Sequence, residues 1–193
     1  YGTVFASKKS LKIYLHNLEE VKKRGDLKIV KGADWESDIG QVVEVVCHDE
    51  NTPTILFDEV KGSPKGFRLL INWFTGTRKN LTLGFPSQLN KLELSQAYHR
   101  HTRSLTPIPH VIVKDGPIFE NITEGVDVDI TKFPSPLWNP EDGGRYIGTG
   151  CFNITRDPDS GWINCGTYRV MVHDAKRVGL YISPGKHGRI HRD

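Results

Sequence analysis

The chain has 193 residues, of which 37% are hydrophobic and 25% charged, and its formal net charge is +3 at pH 7. This composition is typical of a globular chain that forms one or two domains. Basic residues cluster only at 21–25 and 99–103, where solvated helix faces are the commoner explanation, so we expect no nucleic-acid partner. No apolar run approaches the length of a membrane span, and we expect neither a membrane segment nor a signal peptide. Three scattered cysteines argue against a disulfide framework and indicate a reducing cytoplasm.

The first third of the chain predicts helices that alternate with strands. Apolar residues recur at helical spacing over residues 10–24, and Ser10 is available as the N-cap. A second helix is predicted after Asp34, with Ser37 or Asp38 as its cap. Its apolar face comprises Ile39, Val42, Val43, Val46 and Cys47.

Two strands and a third helix complete this predicted module. The segments TPTILFDEV (52–60) and GFRLLINWF (66–74) are apolar and are separated by a turn with Gly and Pro. A polar helix is predicted within 86–105. Residues 1–105 are therefore expected to form an N-terminal α/β domain.

The pattern changes after the prolines at 107 and 109. From residue 106 to 193, short apolar runs punctuated by Gly, Pro and Asp predict β-strands joined by turns, as in a small barrel or sandwich. The clearest hairpin has RDPDSG (156–161) as its turn, because Pro fixes φ and Gly accepts positive φ.

The second strand of this hairpin carries an unusual set of residues, NCGTYRVMVHD (164–174). In a regular strand, Arg169 points away from the most apolar face and Asn164 points to the opposite side. A bulge at Gly166 would bring Asn164 and Arg169 to one cavity, whereas the simpler interpretation of Gly166 is close packing alone.

These residues carry a resemblance to a known family. The pattern Asn-x-Gly-x-Tyr-Arg at 164–169, with DGGRYIGTG (142–150) upstream and a Ser-x-x-x-His setting at 183–187, resembles the UbiD family of reversible decarboxylases. The likeness is strong over 105–193 and loose before it. The resemblance implies an α+β chain, in which the α/β module is followed by the start of a split β-barrel, flavin-reductase-like cofactor domain at 106–193 that is truncated at its C-terminus.

The resemblance implies a chemistry as well as a fold. Members bind prenylated FMN with Mn²⁺ (or Mg²⁺) and often K⁺. They remove CO2 from, or add it to, aromatic, heteroaromatic or α,β-unsaturated acids through a covalent cofactor adduct, and a glutamic acid supplies the proton. It also implies a small carboxylic acid as substrate, a flavin prenyltransferase as cofactor supplier, a homo-oligomer in the full-length protein and a cytoplasmic location.

Carried over residue by residue, the resemblance assigns roles to this chain. Asn164 and His187 would be metal ligands, and Arg169 would be the catalytic arginine that pairs with the substrate carboxylate. The cofactor-binding set would be Asn164, Cys165, Gly166, Thr167, Tyr168, Arg169, Lys186 and His187. The planar, permanently charged fork of Arg suits a carboxylate, and an amide oxygen and a neutral imidazole suit Mn²⁺.

Other interpretations of these residues remain open. His187 and His191 are spaced as two zinc ligands on one helix, with Cys165 as a conceivable third. Cys165 is otherwise expected to be a packed thiol, Tyr168 to lie in the barrel core and His173 to be solvated.

One departure from the family affects the predicted activity. Residues 143–193 contain no Glu, although the family's third metal ligand and its catalytic acids are glutamates. We expect an N-terminal fragment of a decarboxylase that is inactive alone. A non-catalytic binding or assembly subunit is the alternative, and a flavin reductase is a third.

Overall fold

The computed structural model describes residues 18–49, 51–106, 108–109, 112, 114–116 and 119–193. It shows a mixed α+β chain with small sheets. The helices are α1 (18–23), α2 (Asp38–Val46), α3 (Gly76–Thr82), α4 (Lys91–Ser104) and α5 (His187–Arg192). The strands are β1 (Leu27–Lys31), β2 (Thr54–Asp58), β3 (Leu69–Ile71), β4 (Tyr146–Gly148), β5 (Asn153–Arg156), β6 (Ile163–Gly166), β7 (Val170–Val172) and β8 (Val178–Leu180).

The N-terminal module is a three-stranded sheet with a crossover helix. Strand β1 pairs with β2 in parallel, and β2 pairs with β3 in antiparallel. Parallel neighbours need a crossover connection, which α2 provides between β1 and β2. The central strand β2 is buried from Thr54 to Phe57, as its continuous apolar run predicts. The two predicted strands are thus confirmed, although the second is shorter than its apolar segment.

The core of this module lies between α2 and the sheet. Ile39 and Phe57 are fully buried, and each side chain of this size contributes about 1.5 to 3 kcal/mol when it leaves water. The buried cluster comprises Ala33, Ile39, Val43, Ile55, Phe57, Val60, Leu69 and Ile71. The helical periodicity after Asp34 therefore identified the core-facing side of α2.

The helix boundaries differ from the predicted ones in detail. Residues 18–23 of the first predicted helix are helical, and its beginning, with Ser10, lies outside the described residues. Ser37 stands at the N-cap of α2 but makes no side-chain cap bond, because its hydroxyl donates to Asp38 Oδ1 at 2.8 Å. The predicted capping of α2 by a Ser37 or Asp38 side chain is therefore wrong, since the Asp38 carboxylate accepts the N–H of Asp34, which precedes the helix.

The third predicted helix begins later than its polar segment. Helix α4 starts at Lys91 because Asn90 and Glu93 form a capping box, in which each side chain accepts the other residue's backbone N–H. Helix α3, just before it, was not predicted. It is held by Arg78, whose side chain is only 4% exposed and donates to Asp26 Oδ2 at 2.6 Å and to the carbonyl of Thr52 at 2.7 Å.

The stretch 119–133 forms short 3₁₀ turns. They span Gly125–Asp127 and Ile130–Lys132. Strands were predicted here, and for these residues that prediction is wrong, because the apolar runs are interrupted and Asp129 caps the second turn by accepting the N–H of Thr131. The prediction for 110, 111, 113, 117 and 118 falls outside the described residues.

Residues after this stretch pack against the N-terminal module. Ser135 is fully buried between two buried prolines, and Leu137 donates its N–H to the carbonyl of Trp35 at 3.1 Å. The guanidinium of Arg145 donates to three carbonyls in the segment 131–135. Burial lowers the pKa of Arg145. Contacts therefore cross from one predicted domain to the other, and the boundary near residue 105 stays a prediction.

The C-terminal part has two small sheets. Strands β4, β7 and β8 form one antiparallel sheet, and β5 and β6 form the predicted hairpin. Asp157 opens the turn of this hairpin, and its carboxylate accepts the N–H groups of Asp159 and Ser160. The split barrel remains a prediction, whereas the hairpin is confirmed.

The hairpin turns its polar side toward the protein interior. Asn153, Thr155, Asn164 and Gly166 are half-buried, and helix α5 packs across β5 and β6. The opposite face exposes Phe152, Ile154, Ile163 and Cys165. The polar pattern of this strand pair therefore marks the side on which the candidate site lies.

Candidate functional site

A cavity of about 940 Å³ is bounded by strands β4, β6, β7 and β8 and by the start of α5. It gathers most of the residues that the sequence singled out. Its lining consists of Tyr146, Asn164, Gly166, Thr167, Tyr168, Arg169, Met171, Gly179, Leu180, Tyr181, Ser183, Gly185, Lys186 and His187.

Asn164 and Arg169 reach this cavity because the chain changes sheets between them. Strand β6 ends at Gly166 and β7 begins at Val170, and the two strands lie in different sheets. The prediction of one continuous strand with a bulge is therefore wrong. Its consequence is confirmed, however, since the three-residue crossing 167–169 brings both side chains to one cavity.

The close approach of Tyr168 requires glycine on either side of its ring. A Cβ added to Gly166 would lie 2.5 Å from Tyr168 Cζ, and one added to Gly188 would lie 2.7 Å from Tyr168 Cε2. Tyr168 is half-buried and lines the cavity, so the expected place in a barrel core is corrected. The Gly in the motif thus provides space for the Tyr of the same motif.

The cavity is cationic. Arg169 and Lys186 both line it and are exposed, and neither side chain makes a hydrogen bond or ion pair within the described part of the chain. The residues that line the cavity include no Asp and no Glu. Two unpaired cations without a counter-charge favour an anionic ligand.

Asn164 is oriented by neighbouring hydroxyl groups. Its Nδ2 donates to Thr155 Oγ1 and to the Tyr168 hydroxyl, each at 3.3 Å. These contacts use the amide nitrogen and leave Oδ1 free to act as an acceptor or a metal ligand. The Tyr168 hydroxyl also accepts the N–H of Gly188 at 3.0 Å.

His187 lies at the first position of α5 and contacts Trp162. The ring centroids of these two residues are 4.6 Å apart in an edge-to-face arrangement. Trp162 makes a second such contact with His191 at 4.8 Å. The His191 ring is buried, and its Nδ1 lies 2.9 Å from Thr155 Oγ1. His187 also lines the cavity, while His191 is part of the packing beneath α5.

The zinc alternative has no support in this arrangement. Among the described residues, no three His, Cys, Asp or Glu side chains are grouped as metal ligands. Cys165 is exposed on the outer face of β6 and does not line the cavity. This corrects its expected packing, because alternate residues of a strand face opposite sides. Its place in the cofactor-binding set stays a prediction.

Several residues in or next to the cavity were not predicted as site residues. Tyr146 lies within the motif 142–150, whereas Leu180 and Tyr181 look like ordinary strand residues. All three reach the cavity because β4 and β8 pair with β7. Trp162 follows the hairpin turn, where a tryptophan between Gly161 and Ile163 was the available signal. His173 is exposed, as predicted.

No helix in the described ranges combines the length and apolarity needed to cross a membrane.

Two segments of the chain match one family of decarboxylases. Residues 110–193 match the family described as the 3-octaprenyl-4-hydroxybenzoate carboxy-lyase Rift-related domain. Residues 18–96 match the N-terminal domain of the same carboxy-lyase. The two matches contain both the N-terminal sheet and every residue that lines the cavity.

Individual proteins show the same likeness. The chain is 29% identical over 189 residues to the pyrrole-2-carboxylic acid decarboxylase of Pseudomonas aeruginosa, a match that covers 93% of this chain and 38% of that protein. The vanillic acid decarboxylase of Sedimentibacter hydroxybenzoicus, in its open form, matches with a TM-score of 0.76 and 26% identity over 92% of this chain and 38% of that one.

A further solved structure shares the fold. The UbiD-class enzyme HmfF from Pelotomaculum thermopropionicum, in complex with FMN, matches with a TM-score of 0.72 and 24% identity, over 92% of this chain and 38% of that one. The chain thus spans well under half the length of each of these proteins.

Proposed function

Because this chain belongs to the UbiD family, we propose that it carries the anion-binding part of a decarboxylase active site. The reaction would be the reversible, non-oxidative decarboxylation of an aromatic, heteroaromatic or α,β-unsaturated acid with prenylated FMN. The family supports carboxy-lyase chemistry, and its relatives include proteins named as decarboxylases of pyrrole-2-carboxylic acid and of vanillic acid.

The charge of the cavity is the observation that supports this proposal most directly. Arg169, whose guanidinium is unpaired among the described residues, lines the cavity together with the half-buried Asn164, and no carboxylate lines it with them. A guanidinium binds a carboxylate through two parallel hydrogen bonds and remains charged at any working pH. Arg169 would therefore hold the substrate acid and orient the bond that breaks, without taking part in proton transfer.

The lining of the cavity also fits a phosphate group. Lys186 is unpaired among the described residues, and residues 166–168 line the cavity with it. Backbone N–H groups and a Lys cation are common partners of phosphate. Thr167, Tyr168 and Lys186 would thus bind the cofactor, which supplies the electrophilic centre of the reaction when it is bound.

The lining also offers two ligands to a divalent cation. Asn164 has a free Oδ1, and the His187 ring makes no hydrogen bond within the described residues. An amide oxygen and an imidazole nitrogen suit Mn²⁺ or Mg²⁺ when carboxylate and phosphate oxygens complete the shell. The carboxylate would come from outside 143–193, a range without Glu. The proton donor would likewise come from outside it, and K⁺ would join the phosphate.

The proposal is tested by replacing Arg169 in the full-length protein loaded with prenylated FMN, because this chain alone is expected to be inactive. CO2 release and solvent deuterium exchange would be followed with pyrrole-2-carboxylic acid and vanillic acid. We expect Arg169→Lys to lose about tenfold to a hundredfold in kcat/KM and Arg169→Met to lose more, because Lys keeps the charge but not the fork. Arg177→Met is the matched control, since Arg177 is an exposed arginine paired with Asp174 in the β7–β8 turn.

Three results would overturn the proposal. Equal activity of Arg169→Met and Arg177→Met would show that Arg169 is not part of the active site. Activity with plain FMN but not with prenylated FMN would point to a flavin reductase. A wild-type protein that binds neither cofactor, yet forms a stable complex with a larger partner, would support the non-catalytic subunit.

A further inference from the structure

The hydroxyl of Tyr168 connects the two elements that carry the proposed metal ligands. It accepts the N–H of Gly188 at 3.0 Å and an N–H of Asn164 Nδ2 at 3.3 Å. Gly188 directly follows His187 at the start of α5, whereas Asn164 lies on β6. One oxygen atom therefore sits between the residues that would hold the metal.

This hydroxyl replaces an ordinary helix cap. Lys186 stands at the N-cap of α5, but its side chain makes no cap hydrogen bond. The first N–H groups of a helix have no partner within the helix, and Gly188 is buried, so its N–H needs an acceptor from elsewhere. Tyr168 supplies that acceptor from a segment twenty residues earlier in the chain.

The ring that carries this hydroxyl is held on two sides. The absence of a side chain at Gly166 and at Gly188 leaves the space that the ring occupies, since a Cβ at these positions would lie 2.5 Å and 2.7 Å from ring atoms. Close contact with both glycines restricts the orientation of the ring. The position of the oxygen is thus set by the backbone of β6 and of α5 at once.

A second set of contacts fixes the other end of α5. Asn164 Nδ2 donates to Thr155 Oγ1 at 3.3 Å, and Thr155 Oγ1 lies 2.9 Å from His191 Nδ1. The ring of Trp162 contacts the rings of both His187 and His191. The hairpin therefore holds α5 near its first and its fifth residue, and Asn164 belongs to both sets of contacts.

We infer that Tyr168 is a positioning residue whose hydroxyl fixes His187 relative to Asn164. Residues behind the direct ligands of a metal orient those ligands, and their loss commonly lowers metal affinity tenfold to a hundredfold. The consequence for metal binding rests on the proposed function. The fixing of α5 by the hydroxyl is a geometric statement that can be tested apart from it.

The test compares Tyr168→Phe with Tyr98→Phe in the full protein. Each variant loses one phenolic oxygen, but the hydroxyl of Tyr98, on the exposed face of α4, makes no hydrogen bond among the described residues. Amide hydrogen exchange of Gly188, measured by NMR, is the first readout. We expect exchange at least tenfold faster in Tyr168→Phe, on the order expected when a protecting hydrogen bond is lost, and unchanged in Tyr98→Phe.

Affinity for Mn²⁺, measured by electron paramagnetic resonance in the presence of FMN, is the second readout. We expect the Kd to rise about tenfold to a hundredfold in Tyr168→Phe and to stay constant in Tyr98→Phe. Thr155→Val is a further variant, because it removes the contacts of Thr155 Oγ1 with His191 and Asn164 but leaves the bond between the Tyr168 hydroxyl and Gly188 in place. In Thr155→Val the Gly188 exchange rate should remain that of the wild type.

The possible outcomes separate this inference from the proposed function. Wild-type exchange of Gly188 in Tyr168→Phe would overturn the inference, and so would equally fast exchange in Thr155→Val, which would indicate general loosening. Fast exchange with an unchanged Kd for Mn²⁺ would show that the hydroxyl does not position the ligands. A wild-type protein that binds no Mn²⁺ with FMN would instead contradict the proposed function, and Gly188 exchange would still decide whether Tyr168 fixes α5.

Discussion

The guanidinium carbon of Arg145 lies 4.1 Å from the ring centroid of Trp35. Arg145 belongs to the glycine-rich segment before β4, and Trp35 precedes α2, so this contact joins the N-terminal sheet to the part of the chain that bears the cavity. The same guanidinium donates to the carbonyls of Thr131, Phe133 and Ser135. Arg145 therefore contacts the segment 131–135 and the ring of Trp35 at the same time.

Replacing Arg145 should destabilise the whole fold. We expect Arg145→Met to lower the free energy of unfolding by about 2 to 4 kcal/mol, because charged hydrogen bonds and a cation–π contact are lost and carbonyls are left without donors. Urea denaturation would measure it. Arg68→Met is the control, since Arg68 is exposed and unpaired within the described residues. Equal unfolding midpoints for the two variants would contradict this role.

The contact with Trp35 can be isolated by a double-mutant cycle. Combining Arg145→Met with Trp35→Leu should reveal a coupling free energy of about 0.5 to 2 kcal/mol, the range measured for partly desolvated cation–π pairs. Additive effects of the two substitutions would show that the ring and the guanidinium are merely neighbours.

The buried arginine of α3 should contribute to stability by a similar amount. Arg78 is paired with Asp26 and with the carbonyl of Thr52, and its side chain is 4% exposed. We expect Arg78→Met to cost about 3 kcal/mol, because Asp26 loses its charged partner and the carbonyl of Thr52 keeps only Asn72 Nδ2 as a donor. Lys79→Met, one residue later and without a partner in the described structure, should change the unfolding free energy by less than about 0.5 kcal/mol. Similar losses of unfolding free energy in Arg78→Met and Lys79→Met, measured by chemical denaturation, would contradict this special role of Arg78.

Gly166 should tolerate no side chain. In Gly166→Ala the new methyl group would lie 2.5 Å from the Tyr168 ring, and we expect a loss of about 1 to 3 kcal/mol from overpacking. The cavity would also be distorted, so the affinity for FMN should fall, as a fluorescence titration would detect. Gly116→Ala is the matched control, since nothing lies within 4 Å of its added Cβ. A Gly166→Ala protein with wild-type stability would show that the ring moves freely.

The hairpin turn should make stability depend on acidity. Backbone hydrogen bonds from Ser160 first, and then its side chain, lower the pKa of Asp157. A carboxylate with a depressed folded-state pKa stabilises the fold above its unfolded value of about 3.9 and loses that contribution as the pH falls toward the folded value. We expect the wild-type unfolding free energy to decline below about pH 4 for this reason.

The substitution Asp157→Asn should remove this part of the pH dependence. Its unfolding free energy should fall less steeply with acid than that of Asp159→Asn, a neighbouring substitution in the same turn whose side chain has no partner among the described residues. Urea denaturation at a series of pH values measures both slopes. Parallel slopes would mean that the carboxylate of Asp157 is no better stabilised in the folded state than in the unfolded one.

Local patterns sufficed to predict the elements that local physics determines. The apolar run of β2, the periodicity of α2 and the Pro and Gly of the β5–β6 turn each specify their conformation within a few residues. The capping box of Asn90 and Glu93 was also present in the sequence and would have placed the start of α4. Helix α3 was not predictable in this way, because its Gly, Thr and Asn residues are poor helix formers and it depends on the distant partners of Arg78.

The sequence predicted which residues form the candidate site, but not how the fold brings them together. The motif and the family resemblance identified Asn164, Arg169, Lys186 and His187, and the structure brings all four to one cavity. The change of sheets after Gly166 and the bond between Tyr168 and Gly188 depend on partners far apart in sequence, so periodicity contains no sign of them. The flavin prenyltransferase and the homo-oligomer stay predictions.

Trp162 gives this protein an optical reporter next to its cavity. Its indole ring contacts both imidazole rings of α5. A protonated imidazole in contact with an indole quenches the indole emission, and the degree of quenching differs when the imidazole is neutral or bound to a metal. With the other three of the four tryptophans replaced by phenylalanine, the emission of Trp162 would follow the state of His187 and His191 in real time. Binding of a metal at His187 could then be followed by the fluorescence of Trp162, without a substrate and before any turnover.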